Sequence, residues 1–410
     1  MIDQPDSNRL IALDMMRGVA VLGILFANIV VFANPMLAGL WPGALAQPMG
    51  PADEAVWLAQ MLLVDGRMRG LFTLLFGAGL LVFLERRGVG LQIRRLGWLA
   101  VFGLAHYFLL FRGDILFAYA FCGLLALGFA GLGAGRLLVL GGMFYAAGAL
   151  ISGLMFWPMV PQEMTALAGC GDPVACLAHG QGTVAEAYRA SLMAAQDESL
   201  AMQARFGAIV LYQLANHALG PLEGAGLAVL ETLPLMLIGM GLYRAGLFSG
   251  RVPARVLVRW GLAGVALGAA LSLPLALWLM GAGHPLYLST FVLLSPAQLA
   301  RLPMTLGMAA LMVAITPALA GKGLGRRLEA AGRMAFSNYL GTSLVMAYIF
   351  QGWGLGWHGA LGRAELLLVV LAGWTAMLVW SPLWLARFRQ GPLEWLWRSL
   401  AYGKASGLRR

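Results

Sequence analysis

An all-α bundle embedded in a membrane is the fold class this sequence predicts, on three observations. Of 410 residues, 60% are hydrophobic and 11% charged, and the mean hydropathy of +0.79 lies far outside the range of soluble domains. Apolar runs of about twenty residues, the length a helix needs to cross a bilayer, recur from end to end. The basic residues fall in short clusters between those runs, the pattern of cytoplasmic loops. The 55 Gly and 13 Trp agree, because small residues let helices approach closely in lipid and Trp favours the interface. The same clustering assigns the net charge of +10 to topology and argues against nucleic acid as a partner.

The elements follow in order. The first span covers 15–33; its leader holds Asp3 and Asp6 in place of a basic cluster, so it is expected to stay as a helix and not to act as a signal peptide. The loop 34–53 has no Lys or Arg and is placed outside. A short interfacial helix, 54–65, leads into a second span, 69–84, that ends inside at Glu85-Arg86-Arg87. Spans at 96–111 and 115–132 are joined by the outer turn Arg112-Gly113-Asp114. A fifth, 137–157, reaches a long outer loop, 159–205, where Cys170 and Cys176 flank a Gly-Asp-Pro turn and suit a disulfide in an oxidising compartment. Cys122 sits in an apolar run as packing.

Residues 206–219 are apolar but short and contain Gln213, Asn216 and His217. Charge parity settles their place. The next run, 227–243, leads to Arg244, Arg251, Arg255 and Arg259, which belong inside, so only one crossing fits and 206–219 is interfacial or re-entrant. Spans at 260–280, 299–319, 334–350 and 366–386 complete about ten helices with both termini cytoplasmic. No soluble domain is large enough to fold alone. The chain is one transmembrane domain, 1–410: an N-terminal half (1–158), the outer loop (159–205), a C-terminal half (206–390) and an amphipathic tail (391–410).

Polar groups inside the spans are the candidates for chemistry, since each costs several kcal/mol when it faces lipid. On the first helix Asp14 and Arg17 lie one turn apart, and Asn28 lies about 20° from Arg17 and roughly 16 Å deeper. His106 repeats that spacing beyond Arg95, and an imidazole at such depth can accept and return a proton near neutral pH. Asp114, at the outer turn, suits orienting that His, pairing with Arg112 or capping the next helix. Glu231 precedes Thr232-Leu233-Pro234, a charge beside a helix breaker as in transporters. Arg333 stands below Asn338 and Thr342 in Gly332-Arg333-Met334-Ala335-Phe336-Ser337-Asn338-Tyr339. The tail Gly391-Pro392-Leu393-Glu394-Trp395-Leu396-Trp397-Arg398 suits anchoring at the inner interface. Helix-to-helix hydrogen bonding is the competing reading of each buried polar group. His and Cys form no metal-ligand spacing.

The motifs LDMMRGVAVLGILFANI, LFTLLFGAGLLVFLERRG, GLAHYFLLFRGDILFAYA, GRMAFSNYL and GPLEWLWR, in that order from Leu13 to Arg398, resemble those of the YeiB-like bacterial inner-membrane proteins, which carry a C-terminal domain of unknown function. Asp14, Arg17 and Gly18 are more distantly similar to the first helix of transmembrane acyltransferases. That resemblance implies transfer of an acyl group from a cytoplasmic thioester. In one such group a His follows the Arg-Gly, where this chain has Asn28. In another the catalytic His lies in the first outer loop, and 34–53 contains none. The resemblance therefore needs the base to have moved to His106.

Two functional readings follow. The first is an acyl- or group-transferase. Arg17, Arg95 and Arg333 bind the phosphates of an acyl-coenzyme-A-type donor, His106 acts as general base with Asp114, and Asn28 and Asn338 donate to the oxyanion. The second is a transporter of a small molecule or lipid, with Glu231 and His106 coupling protons. Both imply the lipid bilayer and a small-molecule or lipid acceptor as partners, with a homo-oligomer left open. No tightly bound cofactor and no metal are expected; the donor enters as a co-substrate.

Overall fold

The computed structural model describes residues 4–169, 173–405 and 407–409. Among them the first half forms α1 (Gln4–Ala33), α2 (Pro51–Leu63), α3 (Arg67–Arg87), α4 (Val89–Leu109), α5 (Leu116–Leu127) and α6 (Ala134–Phe156). Then come α7 (Met159–Leu167), α8 (Pro173–His179), α9 (Thr183–Met202), α10 (Phe206–Asn216), α11 (Gly220–Ala228) and α12 (Thr232–Arg244). The chain ends with α13 (Ala254–Gly281), α14 (Leu286–Leu294), α15 (Pro296–Leu319), α16 (Gly323–Arg333), α17 (Ala335–Phe350), α18 (Arg363–Arg387) and α19 (Pro392–Tyr402). Among the described residues pairing of extended chain is limited to an isolated bridge, Phe388 to Arg409. The fold is the expected all-α polytopic bundle.

Among the described residues six helical segments are long and apolar enough to traverse a membrane: α1, α2 with α3, α6, α13, α14 with α15, and α18. The pair α11 and α12, bent by 48° at its break, passes the same test when taken together, as a broken span or a re-entrant loop. The other predicted spans correspond to α4, α5 and α17, which are shorter or more polar. The protein is an integral membrane protein.

Three local expectations are corrected. The interfacial helix expected at 54–65 is α2, which starts at Pro51 and continues through a break at 64–66 into α3 as one crossing. Gly66 makes that break with φ 71, a backbone conformation that favours glycine. The span expected to begin at 96 begins at Val89 as α4 and so includes Arg94 and Arg95, because Gly88 alone, at φ 81, separates α3 from α4. The outer loop 159–205 is helical over α7, α8 and α9. Cys170, half of the suggested disulfide, lies outside the described residues.

α1 sits at the centre and packs against α3, α15, α16, α17 and α18. It meets α16 at backbone distance: a Cβ on Gly18 would overlap the Leu328 carbonyl, and one on Gly332 the Asp14 carbonyl. Small residues at such a crossing let two helices gain packing contacts that lipid cannot supply. The contact also sets Asp14, Arg17 and Arg333 side by side at one end of the bundle. At the opposite end Glu198 of α9 accepts from the Met36 amide at 3.2 Å and from Arg112 at 2.6 Å, and Arg112 also meets His217. That clamp ties α9 to the turn between α4 and α5.

Gly332→Ala should therefore force α1 and α16 apart and destabilise the protein by about 1–3 kcal/mol, the usual cost of overpacking. Thermal unfolding of the purified protein in detergent measures it. Gly341→Ala, in α17 with nothing within 4 Å of the added methyl, should leave the midpoint unchanged.

Candidate functional site

A cavity of about 580 Å³ opens between α1, α3, α4, α5, α16, α17 and α19. Its polar end carries five guanidinium groups, Arg17, Arg95, Arg333, Arg389 and Arg398, against two carboxylates, Asp14 and Glu394. Helix periodicity builds this end. Arg17, Val21 and Ile24 share one stripe of α1, and Arg95 and Leu99 share one stripe of α4, so each helix presents an Arg and then an apolar wall. Arg17 is held by Asp14 at 3.0 Å. Arg95 lies over the Phe83 and Trp397 rings, 3.8 and 4.6 Å from their centroids, and Trp397 donates to the Arg95 carbonyl at 2.9 Å. An excess of fixed positive charge at the mouth of a low-dielectric cavity favours a polyanionic ligand.

The tail helix α19 builds a wall of this cavity, which an interfacial anchor would not do. Glu394 accepts from the Phe336 and Ser337 amides at 2.8 and 3.1 Å and from the Ser337 hydroxyl, so it caps the N-terminus of α17 from another helix. Burial pushes its carboxyl above the ordinary range.

The cavity ends at Ile115, Leu116, Tyr119 and Tyr339. Behind Tyr339, with ring centroids 5.1 Å apart, is His106. Its side chain and that of Asp114 are 0% and 1% exposed, and Nδ1 lies 2.8 Å from Asp114 Oδ1. The other carboxylate oxygen, Oδ2, accepts from the Phe117 amide at 2.8 Å. Asp114 thus both orients His106 and caps the start of α5, and Arg112 turns away to Glu198 and His217. An aspartate facing Nδ1 places the proton there and leaves Nε2 with a free lone pair. Nε2 is buried without a hydrogen-bond partner.

Besides His106 and Asp114, which lie behind Tyr339 and not on the lining, three expected residues stand apart from the cavity. Asn28 is half-buried, one turn beyond Ile24 on the same stripe, and is absent from the lining. Asn338 serves packing: its amide donates to the Ala331 carbonyl and Ser381, and its oxygen accepts from Trp380 at 2.7 Å. Its hydrogen-bonding groups are occupied by these partners. Glu231 sits at the break between α11 and α12, ion-paired with Arg69.

A second polar cluster escaped sequence reasoning. Gln60 Nε2 meets Asp65 at 3.1 Å, Arg363 donates to Gln60 Oε1 at 2.9 Å, and Arg67 donates to the Met61 carbonyl and to Ser272. Asp65-Gly66-Arg67 inside an apolar stretch was the available signal. Tyr339 was legible only as part of a motif.

His358, in the segment between α17 and α18, is 6% exposed and lies beside the Phe32 backbone. Burial lowers its pKa to about 4. A depressed imidazole favours the fold above the unfolded value of about 6.5 and loses that support as pH falls through the folded one. Between pH 7 and 4.5 the protein should lose up to roughly 3 kcal/mol from this residue, and His358→Gln should flatten the fall in melting temperature measured over that interval.

Residues 242–404 match the family described as "Protein of unknown function (DUF418)". The chain is 33% identical over 403 residues to the "Uncharacterized protein YeiB" of Escherichia coli (strain K12), covering 96% of each chain. It is 28% identical over 415 residues to the "Uncharacterized protein YxaH" of Bacillus subtilis (strain 168), covering 97% of this chain and 95% of the other. No solved structure matches it.

Proposed function

The chain belongs to the YeiB-like family, and from the geometry of its cavity we propose that it is a transmembrane acyl- or group-transferase. The observation that carries the reading is the His106–Asp114 pair, with Nε2 unpartnered, behind the closed end of a cavity whose open end holds five arginines. Arg95 and His106 are eleven residues apart on α4, which is about 16 Å of helix. The arm of coenzyme A, thirteen bonds from pyrophosphate to sulfur, extends about 15 Å at the ~3.4 Å per three bonds of an extended chain. Phosphates at Arg17, Arg95 and Arg333, with Arg389 and Arg398 beside them, would set the thioester against Tyr339 and close to His106.

The chemistry balances without a metal. His106 Nε2 takes the proton from an acceptor hydroxyl or amine as its oxygen or nitrogen attacks the thioester carbonyl carbon. The tetrahedral intermediate collapses, the carbon–sulfur bond breaks, and the imidazolium returns the proton to the leaving thiolate. Asp114 stabilises the imidazolium in between. The polar end faces the cytoplasm in this reading: Lys322 precedes α16, Arg326 and Arg327 lie in its first two turns and Arg387 ends α18, and basic segments stay inside.

One observation favours transport instead: the 48° bend between α11 and α12 with Glu231 at the break. There Glu231 would couple protons to substrate. The Arg69 partner holds that carboxylate outside the cavity lining, which weakens this reading.

Calorimetry with coenzyme A and acetyl-coenzyme A, followed by mass analysis of extracted acceptors, separates the two. Arg95→Gln should weaken binding by about 10–100-fold, the loss of a charge-assisted hydrogen bond. His106→Ala should bind normally and lower transfer by about 10²–10⁴-fold. Wild type that ignores millimolar coenzyme A, or moves substrate chemically unchanged across proteoliposomes, would contradict the transferase reading.

A further inference from the structure

Two tyrosines close the deep end of the cavity, and they are held differently. Tyr119 is tethered: its hydroxyl lies 2.6 Å from Thr73 Oγ1 and 3.3 Å from the Arg69 carbonyl, and its ring packs on Phe72 and Phe76. The Tyr339 hydroxyl is buried beside the Ile115 backbone with no hydrogen bond of proper geometry. The backbone under Tyr339 is fixed, because the neighbouring Asn338 bonds α18 through Ser381 and Trp380. The Tyr339 ring is therefore held by packing and not by a tether on its hydroxyl. Turning it breaks no hydrogen bond.

What stands behind that side chain is His106, whose Nε2 has no partner and whose side chain is 0% exposed. On another side, His106 meets Phe111 edge-on at 6.1 Å, and Phe111 stacks on Phe32 at 4.0 Å. Two aromatic rings thus flank the imidazole, and of the two Tyr339 also lines the cavity. A base kept from water until its substrate is seated avoids hydrolysing the donor. A ring that moves to admit substrate is a common way to do so.

We propose that Tyr339 is the gate between the arginine-lined cavity and the His106–Asp114 pair, a positioning residue whose ring must swing aside for a ligand in the cavity to meet Nε2. Its purpose rests on the transferase reading. Its mechanical claim does not, and is tested separately.

The test is diethyl pyrocarbonate modification of the purified full-length protein, read by peptide mass for each histidine. In wild type and Tyr339→Phe, His106 should stay unreactive. In Tyr339→Ala it should react at least about tenfold faster, as local opening exposes it, and coenzyme A in the cavity should slow the reaction again. His284, buried against Glu54 and Trp57, reports on the fold and should stay protected. If His284 opens in the Ala variant, Tyr339→Leu, which keeps more apolar bulk, gives the reading in its place. His106 reacting equally fast in wild type, or staying silent in a folded Ala or Leu variant, overturns the gate. An open His106 in Tyr339→Ala with no effect of coenzyme A would keep the gate and count against the donor.

Discussion

A charged or strongly polar side chain within a bilayer must be enclosed by protein or paired, because exposure to hydrocarbon costs several kcal/mol. This constraint shapes the whole molecule. Arg17, Arg95 and Arg333 converge on one cavity, where Arg17 pairs with Asp14 and Arg95 lies over the Phe83 and Trp397 rings. Asp114 is held at full burial by His106 on one oxygen and the Phe117 amide on the other. Glu231 finds Arg69, and Arg67 finds Ser272 and the Met61 carbonyl. Each solution joins helices distant in sequence, so the polar groups fix which helices are neighbours while the apolar surface supplies the driving force.

The arrangement around α1 follows. Gly18 and Gly332 let α16 reach the α1 backbone, and only then do Arg17 and Arg333 share a mouth. α19 completes the wall by placing Glu394 on the N-terminus of α17 and Trp397 under Arg95. The C-terminal tail thereby belongs to the cavity, and the family match over 242–404 covers one wall of it while α1 and α4 supply the other. In the proposed mechanism, the five-arginine mouth selects a polyanionic donor and the closed aromatic end keeps the base dry.

Much of this was legible in the sequence. Helical stripes placed Arg17 with the α1 wall and His106 with Arg95, because periodicity along one helix is a local property. Asp114 beside His106 was legible as well, since only a tight turn parts them. What escaped depended on contacts between helices. Asn338 sits on the expected helix, yet its face meets α18 and its amide is occupied there. Asn28 keeps the stripe but lies beyond the cavity lining. Tyr339 stood only at the end of a motif, because its place beside both cavity and imidazole is a contact between helices. The helices of 159–205 were missed because their polar composition resembles a loop.

The central claim is one cavity, open at the arginine end to the cytoplasm and closed at the other. It is tested most directly by placing a cysteine at Leu99, on the cavity wall, in a variant whose three native cysteines are replaced. A membrane-impermeant maleimide is then applied to inverted vesicles and to intact spheroplasts. The account predicts labelling in inverted vesicles alone, suppressed by coenzyme A. Labelling from the outer face, or from neither, would contradict it.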